Sequence, residues 1–256
     1  MKKLLFCCCL FGLLLTYYAC VDRVVSPTEF GHNYYPLEVS KFLEYQVDSI
    51  IFDDAGNGNT TDTLRSFILE KVSEIETDGS GDTIFLIERR WRQNENDPWK
   101  LTHLFSAAIS QFEGIRQEGN FRFQALSFPL SLGKRWEMTS YINPLIEVPI
   151  GSETLEVYNF WDSEVLEYDV NGEVGAFQFS DENLMTVSHA SNDDDPLHFR
   201  VVTEKYVRNV GLVYKEMEIL DSRCIRLGDP SLCIGQTWNE KAEKGFKLRQ
   251  TLINYN

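Results

Sequence analysis

The feature that most constrains this chain is a short-range alternation of apolar and polar residues, broken repeatedly by Gly, Asn and Asp. In residues 42–51, Leu43, Tyr45 and Val47 fall on one face of an extended chain, with Glu44, Gln46 and Asp48 on the other. Side chains of a strand point alternately to its two faces, so this pattern predicts a half-buried strand. The run DDAGNGNTTD at 53–62 and the run DGSGD at 78–82 supply turn residues. Further strands are expected at 63–75, 83–92, 99–106, 121–127, 134–141, 153–169, 173–179, 184–190, 212–220 and 246–255. Many short strands with such breaks predict a mainly β fold, with antiparallel strands forming a sandwich or a partly closed barrel. One or two short helices are expected. One is placed at 204–210, between Thr203 as N-cap and Gly211 as terminating glycine. Aromatic residues make up 13% of the chain, which suits strands, where rings fit a pleated surface.

The chain also echoes itself. YYPLEVSKFLEY begins at Tyr34 and SFPLSLGKRWEM at Ser127; aligning Pro36 with Pro129 also aligns Leu37 with Leu130, Lys41 with Lys134 and Glu44 with Glu137. Two similar β units would give this pattern. So would an aromatic-Pro-Leu turn into a strand used twice as a local solution.

The N-terminus carries an address. Met1-Lys2-Lys3 precedes the apolar run LLFCCCLFGLLL at 4–15, and Thr16-Tyr17-Tyr18-Ala19 leads to Cys20. This is the layout of a secretory signal peptide. The uncharged stretch from Leu4 to Ala19 is shorter than the roughly 20 residues of a spanning helix. Ala19 before Cys20 fits a lipoprotein processing site, with Cys20 becoming the lipid-bearing N-terminus and two or more acyl chains giving stable anchoring. Tyr17 stands where such sites usually have leucine. Ordinary cleavage near Ala19 and an uncleaved anchor are the alternatives. Residues 1–19 are thus expected to be a signal peptide, 20–33 a lipidated cysteine and tether, and 34–256 a β-rich domain. As a flexible coil the tether would reach on the order of 20 Å.

Three segments carry a resemblance. YYPLEVSKFLEY, FQALSFPLSLGKRWE and EKYVRNVGLVYKEME resemble strands of uncharacterised Bacteroidota-type envelope lipoproteins, over about residues 34–220. Ser40 and Leu43 depart from the glycine and tryptophan usual there. The resemblance implies a lipid-anchored β-rich domain in the outer membrane, facing the periplasm or the surface. It implies nothing about catalysis.

Cys7, Cys8 and Cys9 lie in the apolar run, which leaves Cys224 and Cys233 in CIRLGDPSLC. An even pair in an exported domain reads as a disulfide, and Gly228-Asp229-Pro230 between them can turn the chain. Closing that loop contributes about 2.5–3 kcal/mol in the chain-entropy model. Two separate thiols are the alternative.

Other chemistry finds little support. The net charge is −15, which repels phosphate backbones, so no nucleic-acid partner is expected. His32, His103, His189 and His198 lack zinc spacing, and no HExxH, GxSxG, GxxxxGK[ST] or GxGxxG motif occurs. No catalytic residue, metal or cofactor is assigned. Two acidic loops, Asp53-Asp54-Asn57-Asn59-Asp62 and Asn192-Asp193-Asp194-Asp195, offer oxygens of the kind calcium takes, although solvated turns explain them as well. Asp48-Ser49-Ile50, Asp62-Thr63-Leu64 and Asp82-Thr83-Ile84 resemble short O-glycan acceptors. Trp136 and Trp161 are expected in the core, while Trp99 and Trp238 lie beside loops and are expected to be more exposed.

The expectation is therefore a lipid-anchored envelope protein acting as a non-enzymatic binding or assembly module. Its partners would be the membrane and an envelope protein or glycan. A carrier of a lipid or other apolar ligand in a curved sheet is one alternative. A carbohydrate-active enzyme with paired carboxylates is another.

Overall fold

The computed structural model describes residues 29–53 and 62–256. Cys20 and most of the first acidic loop lie outside the described residues. Fourteen strands are described: β1 Phe42–Asp53, β2 Asp62–Thr77, β3 Thr83–Arg92, β4 Lys100–Ile109, β5 Glu113–Glu118, β6 Phe121–Ser127, β7 Arg135–Trp136, β8 Glu147–Ile150, β9 Glu153–Glu156, β10 Ser163–Val174, β11 Phe177–Asn192, β12 His198–Val207, β13 Gly211–Ser222 and β14 Ala242–Tyr255. Among the described residues no helix is long and apolar enough to cross a membrane.

Twelve strands form one sheet in the order β6-β5-β4-β3-β2-β1-β14-β13-β12-β11-β10-β7, and β8 pairs with β9 alone. Every pairing is antiparallel. The order resolves into two meanders of six strands. One runs from β1 to β6, the other from β7 through β10 to β14, and they are joined where the first strand of one meets the last strand of the other. The β1–β14 ladder runs from Leu43 opposite Tyr255 to Asp53 opposite Lys244. Each meander starts just after an aromatic-Pro-Leu segment, Tyr35-Pro36-Leu37 before β1 and Phe128-Pro129-Leu130 before β7.

The sheet curls so that its two edges approach. The Gln124 amide of β6 donates to the Met138 carbonyl at 3.0 Å, just past β7. The Trp136 indole N–H donates to the Gln124 carbonyl at 2.9 Å. No ladder forms between β6 and β7, and the sheet is not closed into a barrel. The buried core lies along the concave face. Leu126 and Phe128 from one edge pack with Trp136, Val165, Met185, Val187 and Tyr206 from the other. A second cluster joins Phe123 to Val202, Met217 and Ile219, with Met138, Leu155, Val157 and Trp161 contributed by the segment that links β7 to β10. That segment, with the β8–β9 hairpin in it, lies across the concave face. Full burial of one such side chain stabilises by about 1.5–3 kcal/mol.

On the other side, the β10–β11 hairpin folds back over β14. Its ladder slips at three points, and irregularities of this kind bend a strand. Gly175 at its tip (φ 57°) lies so close to β14 that a Cβ would stand 3.1 Å from Thr251 Cγ2 and 3.3 Å from the Leu252 carbonyl. The Phe177 ring meets the Tyr255 ring edge-on at 5.3 Å.

Cys224 and Cys233 are joined by a disulfide in the connection between β13 and β14. The first lies in a helix, Arg223–Leu227, whose N-cap Ser222 accepts from the Cys224 amide. The second ends a 3-10 helix, Pro230–Cys233. A third short helix, Trp238–Lys241, opens on a Thr237/Glu240 capping box.

Several expected boundaries are corrected. Residues 204–210 are not a helix: β12 continues to Val207. Helix-favouring Glu204 and Lys205 mask the strand, in which Val202, Glu204 and Tyr206 are all buried on one face. The 134–141 strand shrinks to β7, because the chain turns at Thr139 and Ser140. The 153–169 strand splits at a turn where Phe160 takes φ 67°, and 173–179 contains the Gly175 hairpin turn rather than one strand.

Gly245 in β14 (φ 136°) marks the tightest backbone approach: a Cβ there would stand 2.1 Å from the Ile219 carbonyl oxygen and 2.8 Å from Leu220 Cα. Around Gly228 (φ 69°) no atom lies within 4 Å of that position. Gly245→Ala is expected to destabilise the fold by more than about 3 kcal/mol. Gly228→Ala is expected to cost about 1–2 kcal/mol, the left-handed backbone penalty alone. Urea unfolding of the two variants checks this; equal losses would show that the strands at Gly245 part easily.

Candidate functional site

Between the concave face and its covering segment lies a partly open cavity of about 460 Å³, within the range of small-molecule sites. Strand alternation selects its lining. Ser49 and Ile51 of β1, Arg116 and Glu118 of β5, Phe123 and Ala125 of β6, Glu204 and Tyr206 of β12, Lys215 and Met217 of β13, and Phe246, Leu248 and Gln250 of β14 all line it. Each set is spaced by two residues and therefore shares one face. Met138, Ile150, Tyr158 and Trp161 close it from the covering segment. That segment is fastened at its hairpin. Asp53 accepts from the Ser152 amide at 2.8 Å and from its hydroxyl, and Lys244 Nζ donates to the Thr154 carbonyl at 2.7 Å.

The cavity has two kinds of wall. One is aromatic: Tyr158 lies between Phe123 at 5.2 Å and Trp161 at 5.3 Å. The other is ionic. Glu70 Oε1 accepts from Arg89 Nη2 at 2.7 Å, Arg89 Nε at 2.9 Å and Arg116 Nη2 at 2.8 Å. Glu118 accepts from both arginines. The two guanidinium groups lie over the Phe105 ring, at 5.0 and 4.2 Å from its centroid, a favourable cation–π arrangement.

A second chain of polar contacts runs from the wall into the core. Lys215 Nζ lies 3.0 Å from Glu204 Oε1. Glu204 Oε2 meets His189 Nε2 at 3.0 Å and accepts from the Tyr206 hydroxyl. His189 Nδ1 lies 2.8 Å from Ser163 Oγ, and the ring is stacked on Trp161. With its Nε2 hydrogen given to Glu204, the ring can accept the Ser163 hydroxyl at Nδ1. Ser, His and Glu in series have the connectivity of a hydrolytic triad. Here, however, Ser163 and His189 are 0% exposed and neither lines the cavity. In this arrangement the series fixes Glu204 in the wall and offers no nucleophile to a substrate.

The carboxylates stay ionised despite burial. Desolvation alone would raise Glu70, and Arg116 and Arg89 outweigh it and hold the carboxyl below its ordinary value. Glu118 is lowered in the same way, against its own burial, by Arg116, Arg89 and Lys215. Glu204, equally buried, is held well below by Lys215 and His189. Burial and the nearby Glu118 charge push the Tyr158 hydroxyl up to about 12.

Most residues singled out in the sequence lie elsewhere; Ser49 and Trp161 line the cavity. The disulfide sits at the β13–β14 connection. In the second acidic loop, Asp195 turns back to accept the Leu197 and His198 amides at 2.7 and 3.2 Å. No group of three metal-ligating residues occurs among the described residues. Ser49 lines the cavity, whereas Thr63 and Thr83 are exposed. Trp136 and Trp161 are buried, and only Trp161 lines the cavity. Trp99 and Trp238 are half-buried; Arg92 covers the first at 4.2 Å and Lys241 the second at 3.9 Å. The ionic wall was not found from sequence, although a signal for it existed: Glu70 and Arg89 stand at apolar register positions, between Ile68 and Val72 and between Ile87 and Trp91.

No family model and no curated protein matches the chain. Among solved structures it is similar to a "putative lipoprotein" from Parabacteroides distasonis ATCC 8503, with TM-score 0.38, 10% identity, and coverage of 87% of this chain and 98% of that one. It is also similar to a "putative exported protein with YmcC-like fold" from Bacteroides fragilis NCTC 9343, with TM-score 0.38, 10% identity and coverage of 86% and 97%. Likeness at that TM-score carries no argument about this chain.

The depressed Glu70, Glu118 and Glu204 values give a sign for pH. The unfolded chain takes up protons near the ordinary Glu value of 4.5, where the folded wall does not. The stability contributed by these groups is therefore present above that pH and lost as pH falls below it. The thermal midpoint is expected to drop between roughly pH 6 and roughly pH 3. In Glu70→Gln the drop becomes shallower, and the protein loses about 1.5–3 kcal/mol at neutral pH, because Arg89 and Arg116 each lose one of their two carboxylate partners and keep Glu118. Thermal unfolding across that range checks it; parallel curves for the two proteins would show that Glu70 does not set the pH response.

Proposed function

We propose that this chain is a non-enzymatic binding module of the bacterial cell envelope that holds a small amphiphilic or apolar molecule inside its curved sheet. The observation that carries the reading is the 460 Å³ cavity, which has an aromatic wall on one side and an ionic wall on the other. A space of that size lined by apolar side chains and a few fixed polar groups is what small-molecule binding needs. The carrier reading is favoured over a purely protein-binding role because the side chains facing the space are held from both sides: by the sheet beneath and by the fastened hairpin above. The sealed Ser163 favours binding over hydrolysis.

The location rests on the N-terminus. A positive n-region, an apolar run and Ala19-Cys20 support export and lipid attachment at Cys20, which would tether the domain to the outer membrane without a spanning segment.

Two outcomes test these readings. Native protein taken gently from its own membrane should carry about one equivalent of a small apolar or amphiphilic molecule by mass spectrometry, the occupancy expected of one such site. Ser49→Phe, which puts a ring into the cavity, should lose it. A protein partner with no small molecule would instead support an assembly module. Cys20→Ala should abolish acyl labelling and move the protein to the soluble fraction. A variant that stays on membranes beside a wild type without acyl groups would refute the lipid anchor.

A further inference from the structure

The cavity's charges are balanced. Arg89, Arg116 and Lys215 line it with Glu118 and Glu204, and Glu70, behind the lining, bonds both arginines, so each charge has an opposite partner. A protein of net charge −15 thus keeps an interior charge cluster that sums to zero once Glu70 behind the lining is included. A charged head group entering that space would add a charge with no free counter-charge, and would lose its hydration.

One polar side chain on the wall stands apart. Gln250 is 7% exposed and lines the cavity, and its amide makes no hydrogen bond to the described residues. It lies directly opposite Lys215 across the β13–β14 ladder and opposite Val47 across the β1–β14 ladder. The amide faces the cavity space rather than the packed core, so its donors and acceptor stay available to a ligand that pairs with them. An amide offers both donors and an acceptor, and the Lys215 ammonium has three donors, of which the Glu204 contact needs one. Glu118, 37% exposed on the same wall, presents a carboxylate as acceptor. These three groups meet a head that both gives and takes hydrogen bonds. The aromatic side of Phe123, Tyr158 and Trp161 meets an apolar body.

Building on the carrier reading above, we propose that the cavity selects an uncharged amphiphile: a hydroxyl- or amide-bearing head on an apolar chain or ring, the head held by Gln250, Lys215 and Glu118. Charge neutrality then sets specificity, because anionic and cationic heads on the same chain are disfavoured alike.

A chain-matched series tests this. The full chain, held in phosphatidylcholine nanodiscs, is titrated with labelled 1-monolaurin, laurate and dodecylamine, and retention is corrected with empty nanodiscs. Monolaurin is expected to bind at least about tenfold more tightly than either charged probe, a difference of about 1.4 kcal/mol. In Gln250→Leu monolaurin is expected to bind more weakly and the ratio to fall, while the charged probes stay disfavoured by the unchanged wall charges. If laurate or dodecylamine binds as tightly as monolaurin to the wild type, the head-group inference is overturned while the carrier reading stands. If none of the three is retained above empty nanodiscs, the carrier reading falls and the inference with it. The wild-type series decides the matter even where Gln250→Leu fails to fold.

Discussion

Everything in this molecule depends on the pairing of β1 with β14. Each meander alone is a ribbon of sequential hairpins whose apolar face has no opposite side. Joining the first strand of one ribbon to the last of the other makes a twelve-stranded sheet long enough to bend back on itself. Only then does Phe123 of β6 reach Val202 of β12 and Met217 of β13. The contacts that bury the core lie between residues far apart in sequence, and their closure entropy must be met before they stabilise anything. The seam is consequently long and lacks a loop of its own. Gly245 belongs to this logic: at that point of β14 the backbone of β13 comes too close for any side chain.

The curl explains why charge occurs in the interior at all. A sheet this wide bends with a larger radius than an eight-stranded barrel, whose interior is just filled by its own side chains. Leu and Phe from the strands alone do not span the gap. Long arginines, whose stems pack while their heads pair, extend further inward from β3 and β5, and the Phe105 ring beneath supports both guanidinium groups. A buried ion cluster of this kind is poor evidence for stability, since desolvation offsets much of the attraction. It does fix geometry: Glu70 accepts from both arginines and Glu118 from the same two, so neither guanidinium is free to swing into the space.

Much of the fold was legible from the sequence, because alternation survives wherever one strand face is wet. Residues 42–51 and 121–127 show it. The failures share a physical origin. β12 was hidden because Glu204, a charge, occupies an interior position, so the pattern Val202-Glu204-Tyr206 does not read as apolar. β5 was hidden for the same reason by Arg116 and Glu118. The strands missed are thus among those that build the ionic wall. The site was illegible because pairing of opposite charges across β2, β3 and β5 depends on register, and a single sequence gives no register. The disulfide was easier, since ten residues with a central Gly-Asp-Pro turn define their own closure.

The covering segment completes the argument from shape to role. Between β7 and β10 the chain leaves the sheet and places Met138, Leu155, Val157 and Trp161 against the concave face. Comparable core filling could have come from larger residues on the strands, at positions where Ser49 and Ala125 now stand. Small side chains on the sheet combined with a separate cover leave a space between them, whereas a sheet evolved only to pack against itself would have none. The cover is fastened through Asp53–Ser152 and Lys244–Thr154, contacts exposed to water and each weak in net terms. A partly open space under a cover held at its hairpin by a few exposed contacts can exchange its contents without unfolding the sheet, because those contacts are not the ones that bury the core.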